Sequence, residues 1–161
     1  MKRITLTALT LATVASSFVF TSCKKDKDDP KPKSKTELLT AKNWRITGDV
    51  ETQVIGGRTV TTDNYATEYD PCDKDDYTKF DANKVFKDNE GALKCDPTAP
   101  QETTGTWDFN ADQTKLLTTI RGFPLVIQSD ILELTATTLK TRISSGSGAT
   151  LETQTLTFTA F

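Results

Sequence analysis

The stretch that decides the fold covers residues 43–55 and has the sequence NWRITGDVETQVI. Four apolar side chains in it share one parity: Trp44, Ile46, Val50 and Val54. Charged and polar side chains occupy most of the positions between them. Alternation with a period of two is typical of a β-strand that has one buried face and one face in water. We therefore predict a long strand here, with these four side chains on its buried face.

The chain beyond this stretch repeats the same pattern. Runs with alternating or short apolar segments are separated by turn residues such as Asp, Asn and Gly. The predicted strands are 44–54, 77–80, 85–86, 105–109, 115–120, 125–134, 138–143 and 155–160. Residues 58–66 form either a short ninth strand or a loop. A Ser or Thr cap and a pair of leucines predict one short helix within residues 34–42, which would cover one end of the sheet.

Eight sequential strands within residues 36–161 favour an all-β fold, an eight-stranded up-and-down antiparallel barrel with a short N-terminal helix. Such a barrel has no exposed sheet edge. It is wide enough either to be filled by side chains or to hold one small ligand. A two-sheet β-sandwich with Greek-key crossovers is the alternative, because alternation alone does not separate the two architectures.

The N-terminus has the features of a targeting segment. Lys2 and Arg3 precede an uncharged stretch, residues 4–20, that is too short and too rich in Thr and Ser for a membrane-spanning helix. Thr21, Ser22 and Cys23 follow it. We predict a signal peptide over residues 1–22.

Cys23 and the small residues before it resemble a bacterial lipobox, although Phe20 stands where the usual residue is Leu. The resemblance implies cleavage before Cys23, acylation of this residue with palmitate-like chains, and a lipid anchor in the outer membrane. The other possibility is a secretory signal that is cut elsewhere and leaves a free thiol. Residues 23–35 are predicted to be the lipidated cysteine and a disordered tether, since they lack large apolar side chains.

The Lys/Asp run at residues 24–29 resembles surface-export signals of Bacteroidetes-type lipoproteins. This resemblance implies a position on the cell surface. A simple solvated spacer would serve equally well on the periplasmic side of the outer membrane, so both locations stay open.

Two cysteines remain once Cys23 is set aside. Cys72 and Cys95 lie in loop-like, Pro- and Asp-rich contexts. A signal peptide implies an oxidising compartment, in which disulfides persist. No Cys-x-x-Cys spacing marks a redox site. We therefore predict a structural disulfide that contributes about 3 kcal/mol in the chain-entropy view.

Composition argues against several classes of function. The chain has 161 residues and no histidine, so Ser-His-Asp and Cys-His catalysis and His-based zinc sites are excluded. Residues 36–161 carry 12 Lys and Arg against 19 Asp and Glu, a net charge of −7, which disfavours nucleic acid as a partner. No nucleophile elbow or phosphate-binding glycine loop is present. We expect neither an enzyme nor a bound cofactor.

An acidic cluster invites a metal-binding hypothesis. It consists of Asp70, Asp73, Asp75 and Asp76. The cluster lacks the glycine and the distal Glu of an EF-hand loop. We therefore interpret it as a solvated acidic loop and predict no metal site.

Several short motifs, taken in order, resemble one family. They are the stretch 38–46, Cys72–Tyr77, Phe80–Asn83, Gly91 with Cys95, Gly105–Trp107, Ile131–Leu134 and Leu139. This set is similar to the small lipocalin-like lipoproteins of Bacteroidetes-type bacteria over residues 36–161. Lys42 stands where the classical Gly-x-Trp signature has Gly, which favours a diverged relative.

The resemblance implies an eight-stranded barrel, a small hydrophobic ligand and no catalytic activity. Trp44 and Trp107 are the candidate ligand-binding residues, and a role as core residues that close one barrel end is the competing interpretation. The function expected is thus that of a lipid-anchored cell-envelope lipoprotein. The alternative is a surface-exposed module that contacts protein or glycan and has no ligand cavity.

Overall fold

The computed structural model describes residues 31–161, which begin with a short helix, α1 (Lys35–Thr40). Ser34 caps this helix: its side chain accepts a hydrogen bond from the backbone N–H of Glu37, and the Glu37 carboxylate accepts one from the backbone N–H of Ser34. The helix begins one residue before the predicted domain boundary. The signal peptide 1–22, Cys23 and most of the predicted tether lie outside the described residues.

Strands make up most of the described chain. They are β1 (Asn43–Ile55), β2 (Arg58–Asp63), β3 (Tyr77–Phe80), β4 (Val85–Asn89), β5 (Glu102–Phe109), β6 (Lys115–Ile120), β7 (Ile127–Leu134), β8 (Thr138–Ser145) and β9 (Glu152–Ala160). Two one-turn helices, α2 (Asn64–Thr67) and α3 (Pro71–Lys74), connect β2 to β3. A 3₁₀ turn (Gly148–Thr150) precedes β9. None of the helices in this part of the chain is both long and apolar enough to cross a lipid bilayer.

The strands close into a barrel. Strands β3 to β9 pair antiparallel in sequential order, and β9 pairs back onto β1, from Trp44 opposite Ala160 to Gln53 opposite Glu152. Closure satisfies the backbone groups that an open edge would leave unpaired. The prediction of an eight-stranded antiparallel barrel with a short helix is confirmed, and the sandwich alternative is wrong.

Residues 58–63 form an additional strand outside this closed set. Strand β2 pairs with the second half of β1, from Val50 to Ile55. Strand β3 pairs with β1 at only two positions, Asn43 and Trp44. Strands β1 and β3 therefore separate soon after the start of β1, and this separation opens the barrel wall.

The predicted buried face of β1 is only half right. A register shift between Ile46 and Gly48 marks a β-bulge opposite β9. An extra residue in one strand reverses which side chains face inward beyond it. Trp44 is thus fully buried as predicted, but Val50 is 36% exposed and Asp49 is only 3% exposed.

The apolar core lies at the end of the barrel that α1 covers. Its buried members are Leu39, Trp44, Phe80, Phe86, Trp107, Leu116 and Leu139. The two indole N–H groups are both satisfied, since Trp44 donates to the carbonyl of Leu39 (2.8 Å) and Trp107 donates to that of Asp81 (3.0 Å). We call this region the closed end.

Gly105 permits the tight packing of β5 against its neighbours. A Cβ atom at this position would lie 2.3 Å from the ring of Phe86 and 2.3 Å from the carbonyl oxygen of Thr119. No side chain fits there without displacement of the backbone. The ring of Phe86 therefore packs directly against Gly105.

Candidate functional site

A cavity of about 210 Å³ lies inside the barrel, next to the core of the closed end. Its walls are mostly apolar and include Phe86, Leu139, Ile143, Leu156 and Phe158. Its few polar groups are the hydroxyls of Thr and Ser residues and the carboxylate of Asp88. An apolar cavity with a small number of polar groups is the usual form of a small-molecule site.

A second space, the acidic recess, adjoins this cavity. It has a volume of about 270 Å³ and opens where β1 and β3 separate. Apolar residues such as Ile46 line one side, and four carboxylates line the other: Asp73, Asp76, Asp88 and Glu90. Thr78, Asp88 and Phe158 line both spaces. The cavity and the acidic recess are therefore neighbours with a shared boundary.

Asp88 stands at that boundary. It follows Phe86 by two positions in β4, so both side chains face into the barrel. Thr78 donates a hydrogen bond of 2.5 Å to Oδ1 of Asp88. Burial raises the pKa of the Asp88 carboxyl above its ordinary value, and the Thr78 hydrogen bond opposes the increase.

Several other carboxylates lie near Asp76. Burial, followed by repulsion from Glu90, Asp75, Asp73 and Asp88, raises the pKa of Asp76 to about 6. Its Oδ1 atom is buried and accepts no hydrogen bond from the described residues. This carboxylate therefore has an unused acceptor at the wall of the acidic recess.

The acidic cluster is not the solvated loop that the sequence suggested. Asp73 accepts a hydrogen bond from the backbone N–H of Asp70 (2.8 Å) at the start of α3. Asp75 accepts from the backbone N–H groups of Ala92 (2.6 Å) and Leu93 (3.0 Å), and so fixes the loop after β4. The cluster thus shapes one wall of the acidic recess.

The predicted disulfide is confirmed. The sulfur atoms of Cys72 and Cys95 are 2.01 Å apart, and the bond joins α3 to the loop between β4 and β5. Asp73 lies next to both sulfurs. Within residues 31–161, these three residues are the only close grouping of potential metal ligands. Since both sulfurs are bonded to each other, they are not available as thiolates, and the grouping does not form a metal site.

The two candidate tryptophans lie in the closed end. Trp44 and Trp107 are 0% and 2% exposed, and Trp107 packs edge-on against Phe80 and Phe109. Trp44 also lines the acidic recess, whereas Trp107 lines neither space. Contact of either residue with a ligand stays a prediction. Cys23, the predicted lipidation site, lies outside the described residues.

A polar network that the sequence did not reveal lies farther along β1. Asp49 accepts hydrogen bonds from Gln154 (3.0 and 3.1 Å) and from the hydroxyl of Tyr69 (3.2 Å). Burial, followed by the charge of Asp49, raises the pKa of Tyr69 to about 12. The network pins the segment before α3 to the barrel wall.

Sequence reasoning missed the positions of Asp76 and Asp88 on the wall of an internal space. The signal for Asp88 is its parity with Phe86, which the short predicted strand 85–86 did not reach. A third depression, of about 550 Å³, lies on the outer face near Val85 and Pro124. It lies mostly on the outer surface, and Ile120 lines both this groove and the interior cavity.

Comparison with known families agrees with this architecture. Residues 39–141 match the family model described as a lipocalin-like domain. A comparison with curated proteins gives no significant match. The match covers well over half of the sequence and includes the start of β1, the acidic recess and strands through β8. The chain therefore belongs to the lipocalin-like domain family.

Proposed function

We propose that the barrel binds a small, largely apolar molecule and that the protein has no catalytic role. The observation that supports this most is the apolar cavity above the closed end. Phe86 of β4, Leu139 of β8 and Leu156 of β9 line it and leave it unfilled. Burial of an apolar ligand there would contribute about 25 cal/mol for each Å² removed from water.

The dimensions favour a small ligand. The cavity of about 210 Å³ and the acidic recess of about 270 Å³ are each smaller than the roughly 300 Å³ at which drug-sized sites begin. A ligand that extends past Asp88 would occupy both. The alternative, a protein- or glycan-interaction module without a cavity, is less well supported because an interior cavity is present.

Binding is testable by calorimetry with octanol, a short apolar ligand. We expect saturable binding with a negative heat-capacity change, the signature of apolar burial. Leu156→Trp fills the cavity and should weaken binding by about tenfold or more. Thr155→Trp is the matched control, because successive residues of β9 face opposite sides and Thr155 pairs with the exposed Val50. Equal affinity in both variants would count against the cavity as the site.

We further propose that the protein is a lipoprotein of the outer membrane, anchored through Cys23. The charged n-region, the uncharged stretch and the small residues before Cys23 support the proposal. Several acyl chains on one residue would give stable anchoring, since each buried CH₂ contributes about 0.8 kcal/mol. The periplasmic side and the cell surface both stay open as locations of the barrel.

Metabolic labelling with an alkyne analogue of palmitate tests the anchor. The wild-type chain should become labelled and sediment with membranes, and Cys23→Ser should abolish both properties. Double substitution of Cys72 and Cys95 by Ser is the control, because it removes the other two cysteines but leaves the N-terminus intact. Unlabelled wild-type protein would refute the anchor. Protease treatment of intact cells then separates the two locations, since only a surface-exposed barrel is degraded.

A further inference from the structure

We propose that the preferred ligand is an amphipathic cation, with a short apolar body in the cavity and an ammonium-type group beside Asp88 and Asp76. The inference rests on the proposed binding function and specifies the chemistry of the ligand. It starts from the contrast between the two adjoining spaces: one is apolar, and the other carries negative charge on a single wall.

Carboxylates reach the acidic recess from three neighbouring parts of the chain, whereas β1 and β9 line it with apolar side chains. Asp73 comes from α3, Asp76 directly precedes β3, and Asp88 and Glu90 come from β4 and its end. Among the described residues, no lysine or arginine lines the acidic recess. The four ion pairs among residues 31–161 all involve other acids, namely Asp108, Glu102 and Asp130. The negative charge of this wall is therefore not neutralised by the chain itself.

Two basic side chains near these elements make other contacts, although Nε of Arg45 has no partner among the described residues. Arg45 donates to the carbonyl oxygen of Asp75 (3.2 Å), and its guanidinium lies 4.4 Å from the ring centre of Phe161. The ammonium of Lys74 lies 5.2 Å from the ring centre of Tyr65. Both cations stabilise the surroundings of the wall without contacting its carboxylates.

Two carboxylates of the wall retain acceptor capacity toward a ligand. Asp76 has a buried oxygen without a partner, and Asp88 uses one oxygen for Thr78. Each ionised carboxylate has about four lone-pair positions. An unpaired, partly buried charge is costly, and a donor that carries the opposite charge removes that cost. An ammonium group supplies such donors within reach of the apolar cavity.

A metal ion fits the wall less well than an organic cation. Ca²⁺ requires about six to eight oxygens that converge on one point. In the described part of the chain, no three carboxylates come together that closely, because the one compact grouping contains both disulfide sulfurs. The carboxylates are spread along the acidic recess, and its other side is apolar. This arrangement suits a group that is both charged and attached to an apolar body.

Three ligands of equal chain length test the proposal: octylamine, octanol and octanoate. Titration calorimetry of the purified full chain at about pH 7.5 should show octylamine bound at least about tenfold more tightly than octanol, and octanoate more weakly than both. In Asp88→Asn and in Asp76→Asn the advantage of octylamine should shrink to about threefold or less, with octanol affinity nearly unchanged. Asp108→Asn, on the outer face, is the matched control and should leave all three affinities unchanged.

The advantage of octylamine should also fall with pH. Asp76, with a pKa of about 6, takes up a proton between about pH 7.5 and pH 5, whereas octylamine stays charged. The pKa of Asp88 is also raised by burial, so its protonation would act in the same direction. Octanol affinity should not change over this range. A pH-independent preference for octylamine would contradict the assignment of these two carboxylates.

The outcomes separate the two proposals. If octanol binds but octylamine binds no better, the cationic ligand is refuted and the binding function stands. If none of the three ligands binds, the binding function fails as well. If CaCl₂ alone gives saturable heat that Asp88→Asn removes, the wall is a metal site and the organic cation is refuted.

Discussion

Two regions of the barrel, the closed end and the acidic recess, are built on opposite principles. At the closed end, Trp44 and Trp107 are almost completely buried and each indole N–H has a carbonyl partner. At the acidic recess, Asp76 and Asp88 face a space that no side chain of residues 31–161 fills, and one oxygen of Asp76 has no partner among these residues. Stability is therefore concentrated in the first region, and the proposed capacity to bind in the second.

The closed end and the acidic recess also differ in the interactions that stabilise them. The closed end is maintained by apolar packing around Leu39 of α1, which follows from ordinary hydrophobic burial. The acidic recess is maintained by specific links, namely the Cys72–Cys95 disulfide and the backbone hydrogen bonds to Asp75. The effects of substitutions in the two regions should therefore differ both in size and in physical cause.

The largest expected effect is the loss of a closed-end side chain. Leu139→Ala removes a residue that is 1% exposed, and it should lower the free energy of unfolding by about 2–5 kcal/mol, because it leaves a cavity in the core. Urea denaturation followed by tryptophan fluorescence measures the change. The control is Leu132→Ala, at a leucine that is 45% exposed, for which we expect a change within about 0.5 kcal/mol. Equal effects would mean that the core does not lie at the closed end.

Loss of the disulfide should have the next largest effect. Substitution of Cys72 and Cys95 by Ala frees a loop of 23 residues and should lower the free energy of unfolding by about 3 kcal/mol. The same measurement under reducing conditions should shift the wild-type protein to the stability of the double variant. Because the bond holds α3, which carries Asp73, against the loop that follows Glu90, octylamine affinity should decrease in the variant. Stability that is insensitive to reduction would show that the bond does not constrain the unfolded chain.

Sequence reasoning predicted the fold well because barrel strands depend on local alternation. Strand β6 was predicted with its exact bounds, and the closing strand was recognised from Leu156 and Phe158. The cap of α1 at Ser34 was also visible, since capping needs only neighbouring residues. The disulfide followed from counting cysteines.

The site was less predictable because it depends on long-range geometry. Gly48 is the one local signal of the bulge after Ile46, and it is too weak to show that Asp49 turns inside and Val50 outside. Asp76 and Asp88 become neighbours of one space only through the pairing of β3 with β4 and the early separation of β3 from β1. The barrel and the disulfide are therefore predictable from a single sequence, but the acidic recess is not.

A moderate effect is expected where the bulge has turned a carboxylate inward. Gln154→Leu removes two hydrogen bonds to Asp49, which is 3% exposed, and leaves it with Tyr69 alone. We expect a loss of about 1–3 kcal/mol, the cost of an incompletely paired buried acceptor. Chemical denaturation measures it. The double variant Asp49→Leu/Gln154→Leu should regain part of the loss, because both partners are then apolar; a further loss would show that the network does not carry the effect.

The smallest expected effect is the change in stability with pH that Asp76 causes. Its pKa of about 6 in the folded protein exceeds the ordinary 3.8, so the folded state holds the proton more tightly than the unfolded state. The wild-type protein therefore gains stability from this group below about pH 4 and loses it as the pH rises through about 6.

Asp76→Asn removes the charge, so this variant should be more stable than the wild type at about pH 7.5, by less than about 1 kcal/mol because the acidic recess is open to solvent. The advantage should vanish toward pH 4, as thermal unfolding across this range would show. Asp108 gives the opposite sign. Its hydrogen bond from Lys84 lowers the pKa of its carboxyl, so Asp108→Asn should destabilise the protein at neutral pH and not in acid. If both variants changed stability in the same direction, the carboxylates of the acidic recess would not repel one another in the folded protein. The physical reason for their proposed preference for a cation would then be lost.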